Sequence, residues 1–254
     1  MPYEKTATGD TPAFVIYLID LSGSMSELCG GKPRIDVVAA ALERTKRVML
    51  RRSRRGEEVR PRYAISMLGY SASVTDLLGG VKMIDELETL ALPRLDLQGA
   101  TNTRAGFEAV LSAMNQYIGN LGDCPAPLVC HLSDGGFNQG GDPRPIVDQI
   151  RSMGNSDGNV LVENIYVGDR LLRSPISDAK SWPGVTDPSQ IADNTVMQLL
   201  AMSSPLPDSY AGVMAETEGY SMQSGVPMLI PAETPDLIDL AFVMSSATPT
   251  NPGR

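Results

Sequence analysis

The chain is poor in the residues that build soft metal sites and disulfide frameworks. It holds three cysteines and one histidine among 254 residues, and no two cysteines have CxxC spacing. An odd cysteine count without that spacing supports neither a disulfide framework nor a zinc site. His131 lies within an apolar stretch, so we expect a hydrogen-bonded core residue rather than a base or metal ligand. Cys130 beside it is expected to be a small core hydrophobe.

Long apolar runs and a targeting segment are also missing. No apolar run approaches the ~18 residues that a membrane helix needs. The N-terminal residues lack the basic start and apolar stretch of a signal peptide. We therefore expect a cytoplasmic, soluble protein with no membrane association.

The chain carries no excess of positive charge. Its formal net charge of −9 argues against general nucleic-acid binding through the phosphates. Residues 44–62 are the exception, with nine basic and two acidic residues, a local charge of +7 that leaves −16 elsewhere. A solvated helix with cations near its C-terminal end explains this segment. The alternative is a contact surface for an acidic partner, a nucleic acid or an acidic lipid, with nucleic acid disfavoured by the remaining charge.

Apolar runs and helical periodicities alternate along the chain. Six apolar residues, Phe14 to Ile19, precede Asp20, a pattern typical of a strand buried on both faces of a parallel sheet. Further strands are predicted at 63–70, 74–78, 127–132, 160–167 and 226–230, and helices at 34–52, 83–92, 103–117, 142–153, 194–202 and from 235. This alternation predicts an α/β fold: a doubly wound, Rossmann-like three-layer αβα sandwich whose mostly parallel sheet has one short antiparallel edge strand.

No internal repeat or linker divides the chain, so we predict one domain. Residues 1–13 are expected to form an irregular lead-in and 14–247 the domain, with an irregular insertion at about 168–224. Residues 248–254 contain two prolines and are expected to fray.

Oxygen-bearing side chains follow the predicted strands in three loops. Asp20, Ser22 and Ser24 alternate after the first strand, Thr101 precedes a helix, and Asp134 follows the strand at 127–132. Alternate residues face the same way, and the carboxyl ends of parallel strands form the ligand crevice of such sheets. Each motif alone has a plain structural explanation, as a turn or a helix cap. Their joint occurrence favours a site for Mg²⁺, with Mn²⁺ or Ca²⁺ also possible, because these ions prefer oxygen ligands.

This set resembles the von Willebrand factor A (VWA) domain and its metal-ion-dependent adhesion site (MIDAS). The family pattern of Asp-x-Ser-x-Ser, a distant Thr and a distant Asp matches Asp20, Ser22, Ser24, Thr101 and Asp134. The family's Gly-Gly-Thr reads Gly-Ala-Thr here, at 99–101. The resemblance covers about 12–170, and 226–247 fit the family's last strand and helix.

The resemblance implies a protein-interaction module without catalytic activity. The family's metal binds a carboxylate from a partner protein, here an Asp or Glu. Bacterial stand-alone members similar to TerY proteins of tellurite-resistance and stress-response systems act beside kinases, phosphatases or AAA+ ATPases, which implies an adaptor role.

The alternative is an enzyme, a Mg²⁺-dependent phosphohydrolase with Asp20 as nucleophile. Aspartyl-phosphate enzymes place an Asp after the first strand. A haloacid-dehalogenase-type motif, however, requires a second Asp where Ser22 stands, and the chain has neither a P-loop nor a Gly-x-Ser-x-Gly elbow.

Overall fold

A seven-stranded sheet forms the centre of the structure, a computed structural model that describes residues 3–136, 139–168, 171–246 and 248. The principal strands are β1 (Ala13–Asp20), β2 (Tyr63–Tyr70), β3 (Val74–Asp76), β4 (Leu128–Ser133), β5 (Leu161–Tyr166) and β6 (Leu229–Pro231). The helices are α1 (Arg34–Ser53), α2 (Thr103–Tyr117), α3 (Arg144–Ser152), α4 (Asn194–Met202), α5 (Asp208–Glu218) and α6 (Pro235–Ser245). Short strands occur at Leu28–Cys29, Lys32–Pro33, Arg54–Arg55, Glu58–Val59 and Lys82–Met83, and short 3₁₀ helices at Gly23–Ser26, Glu86–Glu88, Ile118–Asn120 and Pro188–Gln190.

The strand order is β6-β5-β4-β1-β2-β3, and Lys82–Met83 pairs with the same edge of β2 as β3 does. All pairs from β6 to β2 are parallel, whereas β3 and Lys82–Met83 run antiparallel to β2. The chain builds outward from β1 to β3 and then returns to the other side of β1. The topological switch point of this Rossmann-like order therefore lies between β1 and β4.

Helices cover both faces of the sheet. Helix α6 lies against α1 and α5, and its Phe242 ring stacks on Tyr17 of β1. Helices α2, α3 and α4 pack in sequence, and α2 lies over Leu18, where a Cβ on Gly106 would come within 3.2 Å of that side chain. Because Tyr17 and Leu18 face opposite sides of the strand, the two groups of helices form separate layers. The predicted three-layer fold is confirmed.

Local patterns explain most of these elements. In α1 the side chains buried at helical spacing are Ile35, Val38, Leu42, Thr45 and Met49. All eight residues of β1 and of β2 are buried, as continuous apolar strands in a parallel sheet should be. The predicted boundaries of most elements lie within one or two residues of those observed. The strand predicted at 226–230 begins later, at Leu229.

The helix predicted at 83–92 is wrong. Lys82–Met83 extend the sheet, and Ile84 continues that pairing by donating its N–H to the Tyr63 carbonyl at 2.9 Å. The Glu86 carboxylate accepts the Met83 N–H at 2.7 Å, and only the short helix Glu86–Glu88 follows. Strand pairing to β2 thus takes the backbone groups that a helix would have used.

The irregular stretch predicted after 202 is also wrong in part, because it contains α5. This helix buries only Tyr210 and Met214, so its apolar periodicity is weak in the sequence. Gly219 ends it in the left-handed conformation, with φ +73°, as glycine commonly does. Thr248 is buried and its hydroxyl lies 3.2 Å from the Tyr210 hydroxyl, while residues 249–254 of the predicted tail lie outside the described residues.

No helix in the described ranges combines the length and apolarity needed to cross a bilayer. The irregular segment from Ser174 to Asp187 contains neither helix nor strand, in agreement with its prolines and glycine.

A buried acid interrupts the apolar core at the centre of the sheet. Glu163 of β5 is fully buried, and the Cys130 thiol donates to its Oε2 at 3.2 Å. Burial raises the pKa of Glu163 to about 8, against the smaller lowering by this thiol. Cys130 is therefore more than the small hydrophobe that the sequence predicted, because it is a hydrogen-bond donor to this carboxyl.

We expect Glu163→Gln to stabilise the protein progressively as pH rises from about 5 to 8. The unfolded chain releases the Glu163 proton near its ordinary pKa, whereas the folded chain retains it up to about pH 8. Folded wild type therefore loses about 1.4 kcal/mol of stability per pH unit across this window, and the glutamine does not. Urea unfolding at several pH values measures the difference.

Glu57→Gln, at an exposed position, is the control and should leave the pH dependence of wild type unchanged. An equal loss of stability in wild type and Glu163→Gln between pH 5 and 8 would contradict the assignment.

Candidate metal centre

The loop after β1 gathers its three predicted donors on one side. Asp20 ends the strand, and its Oδ1 accepts the Ser22 N–H at 2.8 Å. The hydroxyls of Ser22 and Ser24 lie 3.0 Å apart, and the short helix Gly23–Ser26 carries the chain away from the sheet. The carboxyl-to-amide bond folds the loop back on its own strand, a common role of Asp in turns.

The loop after β4 brings Asp134 to the same edge. Strands β1 and β4 are parallel neighbours with Ile19 opposite Leu132, so their carboxyl ends coincide. Gly135 follows with φ +83°, a turn conformation that glycine adopts readily, and the Asp134 Oδ1 accepts the Gly136 N–H at 3.2 Å. The two carboxylates thus flank the topological switch point of the sheet.

Backbone hydrogen bonds tie the loop of Thr101 to both of these loops. The Gly99 carbonyl accepts the Gly23 N–H at 3.1 Å, and the Gln98 N–H donates to Leu21 at 2.7 Å. On the other side, the Thr101 carbonyl accepts the Gln139 N–H at 3.1 Å. Thr101 is itself buried. The structure therefore brings the three predicted loops together, while their role as metal ligands stays a prediction.

Asp20 concentrates negative charge in a buried place. Its side chain is fully buried, and burial raises its pKa above the ordinary value. Hydrogen bonds from Ser22 oppose this rise, whereas the neighbouring charge of Asp134 adds to it. A cation between the two carboxylates would remove this repulsion.

The donor set fits a hard divalent cation. Two carboxylates and three hydroxyls are the oxygen ligands that Mg²⁺, Mn²⁺ and Ca²⁺ take, and they do not single out one of these ions. No group of three or more His, Cys, Asp or Glu side chains suited to a metal occurs in the described part of the chain. A metal at this centre would depend on the serine and threonine hydroxyls for its remaining ligands.

Two residues that the sequence did not identify contact these donors. The Ser133 hydroxyl donates to Asp20 Oδ2 at 3.0 Å and accepts the Gly135 N–H at 3.0 Å, so it holds the β4 loop against the β1 carboxylate. Arg34, at the start of α1, donates to Asp134 Oδ2 at 3.0 Å. Ser133 was recognisable as the polar end of a buried strand, but no local spacing links Arg34 to Asp134.

His131 is a hydrogen-bonded core residue, as predicted. Its Nε2 lies 2.8 Å from the Tyr70 hydroxyl and its Nδ1 lies 2.8 Å from Asn164 Oδ1. Burial lowers the pKa of His131 to about 4, so the imidazole is neutral at physiological pH. It supports the sheet beneath the candidate centre and contributes no donor to it.

Much of the basic segment 44–62 is engaged within the molecule. Arg44 pairs with Asp239, Arg54 with Glu88, and Arg52 with Glu218 at 3.3 Å. Arg62 is buried and donates to the Arg52 carbonyl at 3.2 Å. These contacts support the structural explanation of the segment, and an acidic partner for it stays untested.

No protein-family model and no curated protein matches the chain. Similar solved structures include proximal thread matrix protein 1 from the mussel byssus with a zinc-occupied MIDAS motif (19% identity, 64% of this chain, 39% of that chain, TM-score 0.42). A second is BatB from Bacteroides thetaiotaomicron (13% identity, 74% of this chain, 84% of that chain, TM-score 0.43). A third is the ArnB paralog VWA2 from Sulfolobus acidocaldarius (17% identity, 61% of this chain, 34% of that chain, TM-score 0.40). The chain spans 39% or less of the mussel and Sulfolobus proteins. Identities and TM-scores this low leave family, metal and partner to be argued from the chain's own residues.

We expect Asn102→Ala to destabilise the protein by about 1 kcal/mol, because Asn102 caps α2 next to Thr101. Its Oδ1 accepts the Ala105 N–H at 3.0 Å, and alanine leaves that donor without its partner. Thermal unfolding should show a midpoint lower by about 2–4 °C.

The matched control is Asn115→Ala, at an exposed position of the same helix, which should keep or slightly raise the midpoint. Equal midpoints for Asn102→Ala and wild type would show that the cap contributes nothing.

Proposed function

We propose that the protein is a metal-dependent protein-interaction module of the VWA type. The observation that carries this proposal is the meeting of three loops at the switch point, with Asp20, Ser22, Ser24, Thr101 and Asp134 as donors. A divalent cation bound by these residues supplies a Lewis-acidic position for one further anionic oxygen.

The charges of the donors favour a carboxylate from a partner protein as that ligand. Two carboxylates balance a divalent ion, but the three hydroxyls are neutral, so the ion still attracts an Asp or Glu side chain. Asp20, Ser22 and Thr101 are buried, whereas Ser24 is partly exposed. A partner would therefore approach from the side of Ser24.

The identity of the metal and the biological setting belong to the same proposal. We propose Mg²⁺, with Mn²⁺ or Ca²⁺ as alternatives, in a cytoplasmic bacterial protein. The resemblance to TerY-like VWA proteins favours an adaptor for a kinase, phosphatase or AAA+ ATPase in a stress-response or tellurite-resistance system. Its task would be to hold partners together without catalysis.

The enzymatic alternative requires Asp20 as an accessible nucleophile. Both of its carboxylate oxygens are hydrogen-bonded, Oδ1 to the Ser22 N–H and Oδ2 to the Ser133 hydroxyl, and the side chain is fully buried. This arrangement favours a role for Asp20 as a fixed metal ligand and disfavours a role as a nucleophile that attacks a phosphorus atom.

We expect Mg²⁺ or Mn²⁺ to stabilise the wild-type protein and to have no effect on Asp20→Asn. The amide keeps an acceptor for the Ser22 N–H but removes the charge that holds the ion. A metal at about 100 times its dissociation constant adds about 2.7 kcal/mol to wild-type stability. Differential scanning fluorimetry with and without metal measures this effect, and Asp148→Asn, exposed on α3, should respond as wild type does.

Partner capture should depend on the same ion. Immobilised wild type and Asp148→Asn should retain a specific protein in Mg²⁺ and release it in EDTA, while Asp20→Asn retains none. Full retention by Asp20→Asn would refute the clamp mechanism. Metal-dependent hydrolysis of a generic phosphoester that Asp20→Asn loses would instead favour the phosphohydrolase.

A further inference from the structure

Arg34 occupies an electrostatically unfavourable position for a cation. It is the first residue of α1, where the helix dipole favours negative charge. Its guanidinium compensates through three oxygen acceptors on one nitrogen: Asp134 Oδ2 at 3.0 Å, the Ser24 carbonyl at 3.1 Å and Glu27 Oε2 at 2.8 Å. Two of these acceptors belong to residues of the candidate metal centre.

We infer that Arg34 is the internal cation of the metal-free centre and competes with the divalent ion for Asp134. This inference rests on the proposed metal site. The guanidinium bonds an oxygen of one of the two carboxylates that the ion requires, and it places a positive charge beside the ion's position. Both effects weaken metal binding relative to a centre without the arginine.

Because the Arg34–Asp134 pair is buried, it competes with a metal more strongly than an ion pair at the surface would. The Arg34 and Asp134 side chains are only 13% and 6% exposed, so water screens their attraction weakly. The metal-free centre is thereby partly neutralised, which reduces the cost of keeping Asp20 and Asp134 close together. The ion must replace this contact rather than fill an uncompensated pair of carboxylates.

Glu27 is the partner that Arg34 can keep when a metal displaces its guanidinium from Asp134. Its side chain is 64% exposed, so it stands at the rim of the centre while Asp134 lies within it. A small movement lets Arg34 give up Asp134 and keep Glu27. Metal binding then removes one partner of Arg34 but does not leave its buried charge unpaired.

Ser133 differs from Arg34 in what its contact does. The Ser133 hydroxyl orients Asp20 without a net charge, so it does not compete with a cation. If Arg34 merely oriented Asp134 in the same manner, its removal would weaken metal binding. Competition predicts the opposite sign, and the two roles are therefore separable by one measurement.

The test is a Mg²⁺ and Mn²⁺ titration of purified variants of this 254-residue chain by isothermal calorimetry, with folding checked by circular dichroism. We expect Arg34→Gln to bind either metal about tenfold more tightly than wild type, while its metal-free thermal midpoint falls. Arg34→Lys keeps the charge and should stay near wild type. Glu27→Gln leaves the arginine fewer acceptors outside the centre, so its metal affinity should fall severalfold.

Arg151→Gln, on α3, removes one positive charge elsewhere and should leave the metal affinity unchanged. Equal or weaker binding by Arg34→Gln, with wild type still binding metal, would overturn the competition but leave the proposed site intact. Binding by Arg34→Gln alone would support the competition strongly. Absence of binding in wild type and all variants would overturn the proposed metal site and this inference with it.

Discussion

The close approach of two carboxylates at the end of the central strands is the constraint on which the rest of the centre depends. Asp20 is fully buried, and the charge of Asp134 adds to the desolvation that raises its pKa. A buried charge is costly unless it is paired and hydrogen-bonded. The Ser22 amide and the Ser133 hydroxyl supply that compensation to Asp20, and the Arg34 guanidinium supplies it to Asp134.

The parallel sheet produces this approach as a consequence of its connectivity. Strands β1 and β4 are neighbours in space, but the end of β1 at Asp20 and the start of β4 at Leu128 are 108 positions apart, because α1, β2, β3 and α2 intervene. At the carboxyl ends of these two strands the chain leaves toward opposite faces of the sheet. The crevice between the two connections is where such sheets bind ligands. The loop of Thr101 closes the crevice by bonding both strand-end loops.

Sequence patterns predicted what is local and repetitive. The buried strands and the periodic face of α1 follow from apolar spacing, and the five candidate donors follow from polar residues after strands or before a helix. Helix α5 was not predicted because it buries only two side chains. The helix predicted at 83–92 was wrong because pairing with β2 overrides the helical pattern of that segment. Arg34 and Asp134 are 100 positions apart, so their contact exists only once the sheet has formed.

Two buried acids in one sheet show why burial alone does not make a binding site. Glu163 lies within β5, has a single thiol donor and leaves Oε1 without a hydrogen-bond partner, so it is neutralised by retaining its proton, with a pKa of about 8. Asp20 lies at a strand end, where the Ser22 and Ser133 side chains and the charge of Asp134 reach it, and Asp134 is itself paired with the Arg34 guanidinium. The same desolvation therefore produces a protonated core residue in one position and, in the other, the centre that we propose binds a cation.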